Sequence, residues 1–69
     1  MRDLLERLVG EMVDKGICYD DAQREFEKRF IARVLQVHEG NLGNAAKTLG
    51  IHRNTLTRKL QELKIKAPR

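Results

Sequence analysis

Arg53, Asn54, Thr57 and Arg58 fall within a six-residue window near the end of a 69-residue chain. Their guanidinium, amide and hydroxyl groups suit hydrogen bonding and charge, not the making of bonds. Arginine presents a planar fork of donors that matches two acceptors at once, as on the edge of guanine. Asparagine can match adenine in the same way, and a threonine methyl suits the methyl of thymine. Covalent chemistry has little to stand on. There is no nucleophile at a workable spacing from a base, no carboxylate pair in an apolar setting and no glycine-rich phosphate loop. Cys18 is the single cysteine, so an internal disulfide is impossible, and it is expected to be a partly buried, inert thiol. His38 and His52 share no ligand spacing with it, so neither a metal nor any other cofactor is expected, and the chain is not read as an enzyme.

The polar residues sit on an amphipathic helix expected from about Arg53 to Leu63 or Lys64. Leu56, Leu60 and Leu63 form its buried face. Asn54, Arg58 and Gln61 lie roughly opposite, with Thr55, Thr57, Lys59 and Glu62 on the flanks. A shorter helix precedes it, N-capped by Asn41 and ending near Leu49. Ala45 and Ala46 are small where two helices must approach, and Gly50 stands at the turn. This is the build of a helix-turn-helix, a unit that lays its second helix in the major groove of DNA and reads bases with that helix's first residues. Arg53 and Arg58 are the expected base readers, with Asn54 and Thr57 beside them. Lys47, Thr55, Lys59 and the helix start at Asn41 suit phosphates.

Charge agrees with that division. Residues 1–40 hold seven Lys/Arg and nine Asp/Glu, a net of −2, whereas residues 41–69 hold seven Lys/Arg and one acid, Glu62, a net of +6. The basic half is the part expected to meet a polyanion. Aromatic residues are Tyr19, Phe26 and Phe30, all outside that half, so RNA recognition by base stacking has no platform.

The elements that must position the basic half are also helical. Leu4, Leu5, Leu8, Val9, Met12 and Val13 mark a helix from about Arg2 to Lys15. Gly16 is suited to end it in the left-handed conformation, with Ile17 folding back on Met12. A second helix is expected to begin after Tyr19, with Asp20 and Gln23 as a capping box, and to run to about His38 before Gly40. Asp20–Arg24 and Glu25–Arg29 are pairs on its solvated face. No strand-like alternation occurs, so the chain reads as all-α, a single domain of four helices: 1–39 as dimerisation helices, 40–64 as the helix-turn-helix and 65–69 as a basic tail. No apolar run approaches the roughly 18 residues of a membrane span.

Both upstream stripes are wide. At about 100° per residue, the first helix's apolar residues span about 180°, and Phe30, Ile31, Val34, Leu35 and Val37 span about 160°. One neighbouring helix needs a stripe of only a little over about 100°. Leu42, Leu49, Ile51, Leu56, Leu60 and Leu63 can cover one side of the second helix, not all of it. A chain this short rarely gains more than about 3–5 kcal/mol from its own core. A homodimer is therefore expected, with Leu5, Leu8, Val9, Met12, Phe30, Ile31, Val34 and Leu35 at its interface. Gly10, mid-helix, either permits a close approach or is merely tolerated.

Gly40-Asn41, Ala45-Ala46, Leu49-Gly50-Ile51, Arg53, Thr55-Leu56 and Lys59-Leu60 together resemble the signature of the Fis family. The same signature marks the C-terminal DNA-binding domains of NtrC-type bacterial activators. The likeness is close over residues 40–63 and fainter through residues 19–35. It implies a bacterial, sequence-preferring DNA binder: a homodimer of four-helix subunits with interleaved first and second helices. In the family, residues matching Asn41, Arg53, Thr55, Arg58 and Lys59 contact DNA, and Fis itself bends its site. His52 stands where Fis has Asn and joins the expected DNA-facing residues; Arg58 stands where Fis has Lys. Fis also has a longer N-terminal segment with a recombinase-activating arm, whereas this chain begins nearly at its first helix.

The expected function is thus a transcriptional regulator or nucleoid-associated protein, cytoplasmic, with double-stranded DNA and a second copy of itself as partners. No membrane or small-molecule partner is expected. Two alternatives are an interaction module without specific DNA binding and the output domain of a larger enhancer-binding activator. Met1 and the compact start favour a standalone protein.

Overall fold

In the computed structural model, which describes residues 1–66, the chain forms four helices: α1 (Arg2–Asp14), α2 (Tyr19–Val37), α3 (Leu42–Leu49) and α4 (Arg53–Leu63). The described residues contain no strand. Residues 67–69 of the expected basic tail lie outside the described part. Ile65, counted with that tail, instead packs against the core.

Local chemistry sets the helix ends. Gly16, at φ +72°, closes α1, with Gly16 N–H donating to Val13 O and Ile17 N–H to Met12 O at 3.1 Å. These are the paired bonds of a Schellman stop, which satisfy carbonyls that the helix end leaves open. The end of α2 falls at Val37, with His38 as its cap, close to where it is expected. Glu39 takes the left-handed position, at φ +53°, and Gly40 follows at φ +83°. The start of α2 differs from the expectation. Cys18 occupies the cap position without a side-chain bond, and the helix already includes Asp20, so no capping box forms. Asp20 and Asp21 instead lie in the first turn, where their charge complements the helix dipole. Arg24 pairs with Asp21 rather than Asp20, at 3.8 Å, while Glu25–Arg29 forms as expected at 3.7 Å. Cys18 is exposed, because the cap position sits on the surface of a short connection.

The core lies where α2, α3 and α4 meet. It consists of Ile31, Leu35, Ala45, Ala46, Leu56 and Leu63, with Val34, Leu42, Leu49, Ile51 and Leu60 packed around it. Leu35 and Leu56 are wholly buried, one from α2 and one from α4. Ala45 and Ala46 are buried as well, so α3 is drawn close by the small side chains at its contact face. His38 Nε2 and Thr48 Oγ1 share a hydrogen bond of 2.7 Å that ties the end of α2 to α3.

This core corrects the expected interface. Ile31 and Leu35, expected to face a second subunit, are already covered within the subunit's own core, and Leu35 has no surface left to offer. Val34 also packs against the subunit's own core. The remaining expected residues stand elsewhere. No residue of α1 is buried. Leu5, Leu8, Val9, Met12 and Phe30, joined by Phe26, line an open apolar cleft of about 880 Å³ between α1 and α2 from Tyr19 to Phe30. Phe26 and Phe30 lie with ring centroids 5.3 Å apart. A side chain added at Gly10 would meet open space within the subunit.

Candidate nucleic-acid interface

The second helix of the pair is presented by a turn with one demanding position. Gly50 has φ +73°, where a side chain would be strained. Gly50 N–H donates to Lys47 O and Ile51 N–H to Ala46 O at 3.1 Å, so the turn is closed by backbone bonds to the end of α3. Ile51 then tucks against the core and aims the chain into α4.

Both helices of the unit are capped by side chains. Asn41 Oδ1 accepts from Asn44 N–H at 3.0 Å, as its position in the sequence suggested. At α4 the cap is His52, whose Nδ1 accepts from Asn54 N–H at 3.0 Å. Such a bond needs Nδ1 without its proton, which leaves an N–H on Nε2. His52 is expected among the DNA-facing residues, and the sequence carries no signal of its cap, because histidine is outside the usual cap set of Ser, Thr, Asp and Asn.

On α4, Leu56 and Leu63 are buried and Leu60 is half-buried, whereas Arg53, Asn54, Thr57, Arg58 and Gln61 are exposed. Asn54, Arg58 and Gln61 lie opposite the leucines and Thr57 flanks them, whereas Arg53 lies nearer the leucine side but in the first turn, where it stays exposed. Arg53 is the first residue of α4, beside the His52 cap. Thr57 Oγ1 donates to Arg53 O at 3.1 Å, which orients the threonine on the helix surface. Arg58 Nε lies 3.6 Å from Glu62 Oε1, with both side chains well exposed. An exposed pair of this kind is worth at most about 1 kcal/mol, so it leaves the guanidinium available to a better acceptor. Lys47 is exposed on α3, and Thr55 is half-buried on the flank of α4.

Lys59 is placed differently from the sequence expectation of a phosphate contact. Its Nζ lies 2.9 Å from Glu27 Oε2 on α2. The ammonium faces the rest of the subunit rather than the exposed polar surface, because residue 59 lies on the flank of α4 that packs toward α2.

The chain matches the family described as "Bacterial regulatory protein, Fis family" over residues 22–63, well over half of its length. The chain belongs to the Fis family. That membership agrees with a regulator rather than an enzyme. The chain is 37% identical over 62 residues to the DNA-binding transcriptional regulator NtrC of Klebsiella pneumoniae, covering 81% of this chain and 13% of that protein. It is 41% identical over 51 residues to NtrC of Azospirillum brasilense, covering 74% and 11% respectively. It is 45% identical over 49 residues to a Fis-like DNA-binding protein of Xylella fastidiosa, covering 71% and 54%. The chain therefore spans about an eighth of the length of the two NtrC regulators and about half of the Fis-like protein. No solved structure matches it significantly. The family match begins at residue 22, so α1 lies outside it. Among the described residues, no helix is long and apolar enough to cross a membrane.

Proposed function

We propose that this Fis-family chain is a sequence-preferring, double-stranded-DNA-binding unit of a transcription regulator or nucleoid-associated protein, working as a homodimer with one α4 in the major groove of each half-site. The observation that carries the reading is the exposed polar surface of α4, with Asn54, Arg58 and Gln61 opposite a buried leucine face, Thr57 on the flank and Arg53 exposed at the helix start. A helix of eleven residues with that division fits a groove that admits one α-helix. Arg53 and Arg58 read guanine edges; Asn54 and Thr57 read neighbouring bases. Lys47, Thr55, Asn41 and the first N–H groups of α3 hold phosphates, and the outward N–H of His52 donates to the backbone at the groove's edge.

The dimer is supported by α1. An isolated helix of about a dozen residues is marginal in water, so its stability comes from packing. Yet Leu5 is 47% and Leu8 52% exposed, and Phe26 and Phe30 stand open across the cleft. A second copy brings the same apolar surface and closes both clefts about a two-fold axis. Residues 1–39 are then the dimerisation part and 40–64 the reading part. The small share of the NtrC regulators that the chain spans favours a second setting for the same chemistry, the output domain of a longer activator.

Binding to duplex DNA over a series of salt concentrations tests the reading. The logarithm of affinity should fall linearly with log salt, with a slope of about −0.9 for each phosphate neutralised. Absence of binding at low salt would refute it.

A further inference from the structure

Among the described residues, one ion pair joins two helices. Asp21–Arg24, Glu25–Arg29 and Arg58–Glu62 each lie within one helix, at 3.6 to 3.8 Å, between well-exposed side chains. The pair of Lys59 and Glu27 is different: 2.9 Å long, between α4 and α2, with side chains 33% and 25% exposed. Glu27 precedes Ile31 by four residues and Leu35 by eight, so the three share one stripe of α2. Lys59 stands between Leu56 and Leu63 on α4 in the same way. The ion pair thus continues the seam along which α4 packs on α2.

The apolar part of that seam is not directional. It holds α4 against α2 but sets its angle only loosely. A short charge-assisted hydrogen bond is directional. Leu35 and Glu27 are separated along α2 by about 12 Å, and over that lever 1 Å of slack is about 5° of rotation. A contact at each end fixes the angle where one contact would not.

We propose that Glu27 is a positioning residue: by holding Lys59 it sets the angle of α4 on α2, and so the separation of half-sites that the dimer accepts. This rests on the DNA-reading dimer proposed above. Glu27 belongs to the helix that carries Phe26 and Phe30 at the cleft, so the pair joins the dimerisation part to the reading part. The polar cleft beside it, lined by Asp20, Gln23, Arg24 and Glu62, gives water access. Exchanging the two charges therefore does not bury an isolated ion.

The test uses the full chain as wild type, Glu27→Gln, Lys59→Gln and the exchanged double variant Glu27→Lys/Lys59→Glu. Affinities are measured on duplexes carrying two half-sites whose separation changes by one base pair at a time. Circular dichroism checks that each variant is folded. Either single variant should lower the ratio of affinities for the best and the shifted separation by about three- to fivefold, the scale of one partly screened pair. The double variant should restore the ratio to within about twofold of wild type, since the directional contact is re-formed with its charges exchanged. The salt slope should be unchanged in Lys59→Gln. A Glu27→Gln protein that keeps its ratio, or that loses affinity equally at all separations, overturns the proposal. So does a double variant that fails to recover, or a drop of about 0.9 in the slope for Lys59→Gln, which makes Lys59 a phosphate contact. A wild type with no preferred separation removes the dimeric reading itself, and the proposal with it.

Discussion

His52 and Asn54 are joined through the first turn of α4: the imidazole Nδ1 accepts from the Asn54 backbone N–H at 3.0 Å. Arg53, exposed in the same first turn, lies between them. The same imidazole therefore anchors the start of the helix and stands at the edge of the surface assigned to DNA. A side-chain cap is worth about 1 kcal/mol. His52→Ala should lower stability by about that amount in thermal unfolding, whereas His52→Ser should hold it, because a serine hydroxyl accepts from the same turn. Equal stability of all three proteins would show that the cap contributes nothing.

Arg53→Ala should weaken specific binding by about 1–3 kcal/mol and relax preference at one base position of each half-site. Arg53→Lys should recover charge but not the two-pronged contact. Binding curves on a set of single-base variants of the site separate the outcomes. A uniform loss across every sequence would make Arg53 a phosphate contact.

Leu8 is exposed in the single subunit, so Leu8→Asp should leave the α2–α4 core intact while placing an unpaired charge in the dimer contact. The cost to association should exceed about 2 kcal/mol. Sedimentation should show a shift from dimer to monomer, and affinity for a two-half-site duplex should fall with it. A wild type that sediments as a folded monomer contradicts the dimer.

Gly50→Ala should destabilise the fold by about 1–2 kcal/mol, the cost of placing an L side chain in the left-handed region. No neighbour blocks a Cβ there, so the backbone conformation alone is responsible. Urea unfolding followed by circular dichroism measures it; unchanged stability would mean that the turn relaxes to another conformation.

Much of the reading half was legible in the sequence because its signals are local. Leucines at helical spacing define the inner face of α4, and Asn41 and Gly50 carry cap and turn chemistry within a few residues of where they act. The parts that were not legible depend on pairings distant in sequence. Stripe width shows how much of α2 must be covered, but not that α3 and α4 take Ile31 and Leu35 and leave Phe26 and Phe30. Lys59 looked like a phosphate contact because its charge was visible and Glu27, a full helix and a turn away, was not recognisable as its partner. The His38–Thr48 bond is of the same kind. Phe26 did leave a signal, lying four residues before Phe30 on one face of a helix.

The central claim is that two copies of α4 read two half-sites related by a two-fold axis. Selection of bound sequences from random duplex DNA by the full chain tests it most directly. The account predicts enrichment of an inverted repeat whose half-sites lie about one helical turn apart. Enrichment of a single, asymmetric motif, or of no motif, would contradict it.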